Sequence, residues 1–518
     1  MNSFLSKFRS LVAFVLVGFD RLRLCGESRL LNHPRGVASY AFQRRVPRRD
    51  FPQHTKQLTD QLDHDTREQA EREGVPVKHV LDAGLEKDAL ALKMAAERGI
   101  ARGRIALLTA QENGMTYRPR KIGDDWGLRK EMVRCNHFYH YFLDDIFGLC
   151  YVRMQTYFPF TLRIGLNGRH WLARELTRRG VKFRQHRNLI TAVEDVPLAQ
   201  ELLDAQGRAN WTPLLENLIK PVHPLWNYLH DEVDTPYYWM AEQSELATDV
   251  VFKSAEDLAL WYPRWVRHGL EAVDAPEVLR YFGRKNVKGC SLEAKIDYRD
   301  RVVGSRVKFH YDSNSAKFYN KENEEHVPIC LRTEFTQNNH KGFFVFRTKE
   351  GESAKSKPSR QMLRKGVADL SRRAEIGKSV NNRVLESLAT VADTKPLGKL
   401  LAPLGQPVVK EGRRVARPLN PLVGADGDWI RTLAKGDFLI QGFRNRDLRE
   451  VWMPATTEEP QRRRQSAQVT RRLTLLRHHG IIKKIPKTHR YTLTAEGKRI
   501  ATALLAAHTC DTNRLTAA

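Results

Sequence analysis

The sequence predicts an α+β protein: a central mixed or antiparallel sheet domain, then a C-terminal module of helix, strand, wing, strand and closing helix. Three observations predict it. Aromatic and β-branched runs bounded by Asp/Gly turns lie between residues 135 and 166 and again between 305 and 335. Apolar residues spaced by three and four separate these runs, with no repeating strand–helix–strand period, so a doubly wound parallel sheet is not favoured. Roughly the last hundred residues join an amphipathic helix to two short strands. With 518 residues, 41% of them hydrophobic, the chain can bury a large core, in about three domains at ~100–200 residues each.

The elements follow in order. Leu11 to Phe19 is apolar behind Lys7 and Arg9. It is too short to span a bilayer, Asp20-Arg21-Leu22-Arg23 follows at once, and no small-x-small cleavage site ends it, so a buried strand or helix is expected. No later segment is long and apolar enough to cross a membrane. Residues 53–104 are rich in Glu, Lys, Ala and Gln with helix-like spacing, as in Lys78 to Leu85, and read as exposed helices without chemistry. His137 to Phe142 and Leu149 to Met154 flank Asp144-Asp145-Ile146-Phe147-Gly148, a β-hairpin. Phe158 to Leu166 ends at Asn167-Gly168, before a helix carrying Trp171, Leu172 and Leu176 and closing at Gly180.

A helical stretch from Leu198 to Ile219 leads to Tyr237–Met240 and Gln243–Phe252, and helices near 256–272 and 276–284 precede a second β-rich block. That block holds Ser305–His310, Ser315–Lys321 and Cys330–Phe335. From Lys349 to Pro418 a basic connector contains one helix, about Val380 to Leu397. The expected organisation is therefore an N-terminal strand and helical region (1–130), a central α+β domain (131–348), a basic helical linker (349–420) and the C-terminal module (421–518).

Charge narrows the partners. Against 60 Asp+Glu stand 87 Lys+Arg, a formal net charge of +27, and the pI is near 9.9. Such an excess points to a polyanion, with nucleic acid first; a merely basic protein, or one touching anionic lipid, is the alternative. The six cysteines are scattered with no Cys-x-x-Cys pair or zinc-finger ladder, against a disulfide scaffold or structural zinc and in favour of a reducing cytoplasm.

In the C-terminal module, Arg462-Arg463-Arg464 opens a helix with Val469, Leu473 and Leu476 on its apolar side and Gly480 as its stop. Ile481–Ile485, the tip Pro486–His489 and Arg490–Thr494 read as strand, wing, strand. A helix from Ala495 to about Ala507 closes the core, and a helical pair around Trp429 to Val451 completes a three-helix unit. Over roughly 425–507 the chain resembles a winged helix-turn-helix of the kind found in bacterial regulators of the MarR type. The expected DNA contacts are Arg463, Arg464, Arg471 and Arg472 on the helix and Lys487, His489 and Arg490 on the wing; the alternative is a protein-contact module with a solvated basic face.

The middle domain carries candidate chemistry. Glu245-Leu-Ala-Thr-Asp249, Lys317-Phe-Tyr319-Asn-Lys321 and Leu331-Arg-Thr-Glu334 fall on expected strands. Carboxylates that hold Mg²⁺ or Mn²⁺, with a hydroxyl that attacks phosphorus, suit phosphodiester nicking. Lys317, Tyr319 and Lys321 share a strand face, as do Arg332 and Glu334. Glu245 and Asp249 share a face but lie about 13 Å apart at ~3.3 Å per residue, so one metal takes both only across a bend, and Glu245 is the safer ligand. Each motif has an ordinary structural alternative: a half-buried tyrosine beneath snorkelling lysines, and an Arg-x-Glu ion pair.

The ordered trio resembles plasmid rolling-circle replication initiators of the trans-acting Rep class and is similar to replication proteins of filamentous phages. That resemblance spans about 240–350. It implies a metal-dependent endonuclease that nicks one DNA strand and stays joined through a tyrosine. Tyr319 would be the nucleophile, Glu245 and Glu334 metal ligands, Asp249 a third, and Lys317 or Lys321 phosphate contacts. Glu245 stands where those families commonly show Asp. The whole chain also resembles a large bacterial family of unassigned activity that often ends in a similar winged helix.

Other motifs give less. His137 and His140, three apart on a strand, point to opposite faces; Gly165–Gly168 lacks Walker spacing; and no Gly-x-Ser-x-Gly, His-Glu-x-x-His or dinucleotide fingerprint occurs. The rival class is a non-enzymatic DNA binder, a winged-helix regulator or mobile-element accessory factor. The expected partner is DNA, with no membrane; the oligomeric state stays open, a dimer included.

Overall fold

The computed structural model describes residues 2–81, 85–122, 125–284, 295–299, 305–348, 357–391, 397–434, 438, 442–486 and 488–510. The protein is mixed α+β. In chain order the first part holds α1 (Asn2–Phe8), β1 (Val12–Ser28), α2 (Pro34–Gln43), α3 (Phe51–Arg72), β2 (Val77–His79), α4 (Lys87–Glu97), β3 (Gly103–Ile122), β4 (Asp125–Asp144), β5 (Gly148–Gln155) and β6 (Leu162–Asn167). There follow α5 (Gly168–Arg178), β7 (Phe183–His186), β8 (Leu189–Val193), α6 (Val196–Gln206), α7 (Trp211–Ile219), β9 (Tyr237–Phe252), α8 (Ala255–Glu271) and α9 (Ala275–Tyr281). Next are β10 (Lys295–Arg299), β11 (Arg306–Tyr311), β12 (Asn314–Glu322), β13 (Pro328–Gln337), β14 (Phe344–Arg347), β15 (Ser359–Met362), α10 (Leu370–Leu388) and α11 (Leu397–Leu401). The C-terminal part comprises β16 (Val408–Lys410), β17 (Arg413–Ala416), α12 (Gly424–Ala434), α13 (Asn445–Trp452), α14 (Glu459–His478), β18 (Ile482–Lys484), β19 (Tyr491–Leu493) and α15 (Ala495–Thr509).

These elements form two compact units: a first of Met1–Ala13, Phe252–Asn320 and Ser379–Ala518, and a second of Phe14–Val251 and Lys321–Lys378. The second unit is built on strands in the order β13-β9-β1-β6-β5-β4-β3-β2. The ladders β13/β9, β1/β6, β6/β5, β5/β4 and β4/β3 are antiparallel, and β2 joins β3 in parallel. Layers cover both faces. Leu107, Phe138 and Phe142 pack into a core with Tyr40, Phe51 and Leu62 of α2 and α3, while Leu108, Tyr139 and Tyr141 pack with Ala91 and Ala95 of α4. Burial on both sides explains why β5 reads as a nearly continuous apolar run rather than an alternation. Gly26 lies under the Trp239 ring, where a Cβ would come within 2.4 Å of the indole.

The hairpin turn forms as its sequence requires: Asp144 Oδ1 accepts from the amides of Ile146 (2.8 Å) and Phe147 (2.9 Å), and Gly148 takes φ +66°. Lys78 to Leu85 departs from the helical expectation. Val77–His79 pairs with Leu107–Thr109 as an edge strand, because those amides find a sheet partner that helical spacing cannot reveal. The stretch read as a basic connector also differs. It contributes the β14/β15 hairpin and then α10, which buries Val380, Val384, Leu385 and Leu388 together with Arg373.

In the first unit, β10, β11 and β12 form an antiparallel meander. Val307, Phe309, Ala316 and Phe318 point to its buried face, with Tyr281 of α9 5.1 Å from Phe309 between ring centroids. Buried on α9, Glu277 carries a carboxyl that desolvation pushes up to about 7 against the nearby Arg280. A carboxyl raised on folding favours the fold fully below its unfolded value near 4.5, and that contribution is lost as pH rises through 7. Glu277→Gln is therefore expected to raise the melting temperature at pH 8, by on the order of 2–3 kcal/mol of stability, and to leave it unchanged at pH 4. Scanning calorimetry at the two pH values checks this.

The C-terminal segment of this unit has its own core, with Ile430 and Leu433 of α12, Leu448 of α13, Val469, Leu473 and Leu476 of α14, and Ile500 and Leu504 of α15. The small β18/β19 hairpin gains a bridge from Phe443 to Tyr491. Thr494 caps α15 by accepting from the Gly497 amide at 2.9 Å.

Candidate functional site

On β1, Asp20, Leu22 and Leu24 are buried while Arg21 and Arg23 are exposed, the alternation of one strand face. An aspartate therefore enters the interior of the second unit. Register does the rest: Arg332 lies opposite Asp249 across β13/β9, Glu334 opposite Ala247 and Thr336 opposite Glu245. Arg332, Glu334, Ala247, Asp249 and Glu245 thus share one face.

Carboxylate oxygens of Asp20, Glu245 and Glu334, from three neighbouring strands, all lie within 4.8 Å of one another. Asp20 is 2% and Glu334 1% exposed, while Glu245 is half-buried. Beside them runs a buried ion network. Fully buried Arg332 donates to Asp249 Oδ1 (2.5 Å) and Oδ2 (2.9 Å), to Asp20 Oδ1 (2.9 Å) and to the Asn188 carbonyl (2.8 Å). Arg169, in the first turn of α5 where Asn167 is the cap, donates to Asp249 Oδ2 at 2.8 Å. Asn188 Nδ2 donates to both Asp20 oxygens at 2.8 Å, and Lys321 Nζ donates to Asn188 Oδ1.

Burial alone would raise both aspartates. For Asp20, Arg332, Lys321, Arg169 and Arg21 outweigh it; for Asp249, Arg332 and Arg169 do so, and both carboxyls stay below the usual aspartate value. Lys321 is pushed down to about 8, first by burial and then by Arg332, against the pull of Asp20 and Asp249.

A carboxylate offers about four lone-pair sites, so Asp20 retains acceptor capacity beyond Asn188 and Arg332. Three converging carboxylates, two of them buried, form the all-oxygen anionic donor set that a hard divalent cation such as Mg²⁺ or Mn²⁺ takes. The residues present fit such an ion. Asp249, expected as a third ligand, is instead held by two arginines, and the arginine of the Arg-x-Glu motif is the structural ion pair that neutralises it. Asp20 completes the group of three carboxylates; in the sequence it reads as the charged end of an apolar run, and a lone aspartate inside a long apolar strand is the available signal. Among the described residues a second group of three, His64, Asp65 and Glu68, lies at the surface of α3.

Tyr319 belongs to the first unit. It is half-buried on β12, directly opposite Arg306 of β11, and Lys317 faces Lys308. The four therefore share the face opposite to Phe318 and Phe309, and Lys317 Nζ stands 5.5 Å from the Tyr319 ring centroid. Arg306 and Lys308 join this face only through register, which the sequence does not show.

Within α14, Arg463, Arg464 and Arg471 are exposed, with Arg463 also 3.2 Å from Glu459. Arg472 is half-buried, its guanidinium 4.3 Å from the Trp429 ring and 5.7 Å from that of Trp452. His489 is exposed, and Arg490 is half-buried and donates to the Gly442 carbonyl at 3.3 Å. Lys487 lies outside the described residues. His137 and His140 are both fully buried on β4, and burial pushes His137 down to about 4.

No protein-family model, no curated protein and no solved structure matches the chain.

Proposed function

We propose that this chain is a DNA-binding protein that nicks one DNA strand with a divalent metal ion and a tyrosine, in the manner of rolling-circle replication initiators. The observation that carries the reading is the convergence of Asp20, Glu245 and Glu334 on one sheet. When bound there, Mg²⁺ or Mn²⁺ polarises a phosphate oxygen and offsets the charge that builds up on phosphorus. Arg332 and Asn188 hold Asp20 in place, Arg332 and Arg169 neutralise Asp249, and Lys321 adds positive charge at the site's edge.

Tyr319 is the nucleophile of this reading. Its oxygen bonds to phosphorus, the bond from phosphorus to the departing sugar oxygen breaks, and the phenol proton ends on that oxygen. Arg306, Lys308 and Lys317 on the same face favour the phenolate and hold the strand's phosphates. The C-terminal helices, hairpin and closing helix act as a winged helix, with Arg463, Arg464, Arg471, His489 and Arg490 toward the duplex and Arg472 beside them, stacked on Trp429.

Incubating the whole protein with supercoiled plasmid and Mn²⁺ is expected to yield open circles, and Tyr319→Phe to lower that rate by at least about 10³-fold with unchanged DNA affinity. Supercoils left intact on plasmids carrying a random origin library, in both proteins, would favour the non-enzymatic winged-helix binder instead.

A further inference from the structure

The structure places a second strongly basic element far along the sequence from the C-terminal module. Among the described residues, β3 and β4 pair only with each other from Gln111↔Asn136 to Ile122↔Asp125, because β2 leaves β3 at Thr109 and β5 begins pairing with β4 at His137. At ~3.4 Å per residue this is a two-stranded ribbon of roughly 40 Å. Arg118, Arg120, Lys121, Arg129 and Arg134 on it are exposed.

Its charges are arranged at odds with simple stability. Arg118 lies directly opposite Arg129, a like-charge cross-strand pair that disfavours the ladder. Glu131 is bound by Arg120 through two hydrogen bonds of 2.6 and 2.9 Å. That pairing, with Arg118 and Arg129 nearby, holds its carboxyl below the usual range. Near the ribbon, a cavity of about 890 Å³ has Arg48, Arg49, Lys56, Arg118 and Arg120 in its wall against Asp60 alone among acids. Two strands fit the ~12 Å major groove of B-form DNA, whereas the major groove of A-form RNA is too deep and narrow.

We propose that the β3/β4 ribbon is a duplex-DNA contact, in which Arg118, Arg129 and Arg134 meet backbone phosphates and the repulsion between Arg118 and Arg129 is relieved. This rests on the reading of the chain as a DNA binder and is independent of strand cleavage.

The test is fluorescence anisotropy of the full chain with a labelled random-sequence duplex in EDTA, over a salt series. Replacing Arg118, Arg129 and Arg134 together by Gln is expected to weaken binding about 10- to 100-fold. It should also reduce the slope of log K against log salt by about two to three, at ~0.9 per phosphate contact. Exposed side chains are changed, so folding is expected to persist. In the unaltered chain, amides of 111–122 and 125–136 are expected to exchange more slowly on duplex DNA, a readout that needs no variant. Unchanged affinity, slope and exchange in a chain that does bind duplex would overturn the ribbon alone, as would equal binding to double-stranded RNA of the same sequence. A chain that binds no DNA at all would overturn the functional reading with it.

Discussion

Arg332→Met is expected to destabilise the protein by about 3–5 kcal/mol at pH 7, measured by urea unfolding. The side chain is fully buried and supplies hydrogen bonds to two buried carboxylates and one carbonyl. Its removal leaves Asp249 with Arg169 and Asp20 with the Asn188 amide and the charge of Lys321 behind it, none placed to replace a forked guanidinium. Burial then dominates both aspartates and their carboxyls move up. In the unaltered protein these carboxyls are depressed, so their contribution is present above the unfolded value near 3.8 and lost as pH falls through the folded value. The deficit of Arg332→Met is therefore expected to be largest at neutral pH and to shrink toward pH 3. A loss below about 1 kcal/mol at pH 7 would mean that the network contributes little. Arg332→Lys is expected to recover only part of the loss, since an ammonium cannot fork between Asp249 and Asp20.

Glu245→Gln is expected to separate metal binding from stability. Glu245 is the least buried of the three converging carboxylates, so the amide fits with a stability change within about 0.5 kcal/mol. It removes one negative charge from the donor set, and Mn²⁺ affinity is expected to fall about 100-fold or more, with nicking falling alongside it. Electron paramagnetic resonance of free Mn²⁺ during titration reads the affinity directly. Equal Mn²⁺ binding by the parent and by Glu245→Gln would remove the cation from this position.

The sequence announced the strands better than their meeting points. The hairpin around Asp144, the helix capped by Asn167 and the order of helix and strand after Glu459 follow from turn chemistry and apolar period, which are local. The site depends on non-local register. Glu245 and Glu334 stood out in short motifs, yet register sets Arg332 against Asp249 and brings Asp20, hundreds of residues away in sequence, beside the two glutamates. The stacking of Arg472, expected as a DNA contact, on Trp429 and Trp452 was not legible either, because it joins residues of three separate helices. The ribbon was hidden too, because Arg118 and Arg129 face each other only once β3 and β4 are in register.

The most direct test of strand cleavage is the covalent joint itself. After incubation of the whole protein with labelled single-stranded oligonucleotides drawn from an origin library and Mn²⁺, denaturing electrophoresis is expected to show label retained on the protein. Mass spectrometry is then expected to place the nucleotide on the peptide containing Tyr319. Label retained on another residue, or cleavage that proceeds with no protein-bound label, would contradict the tyrosine mechanism.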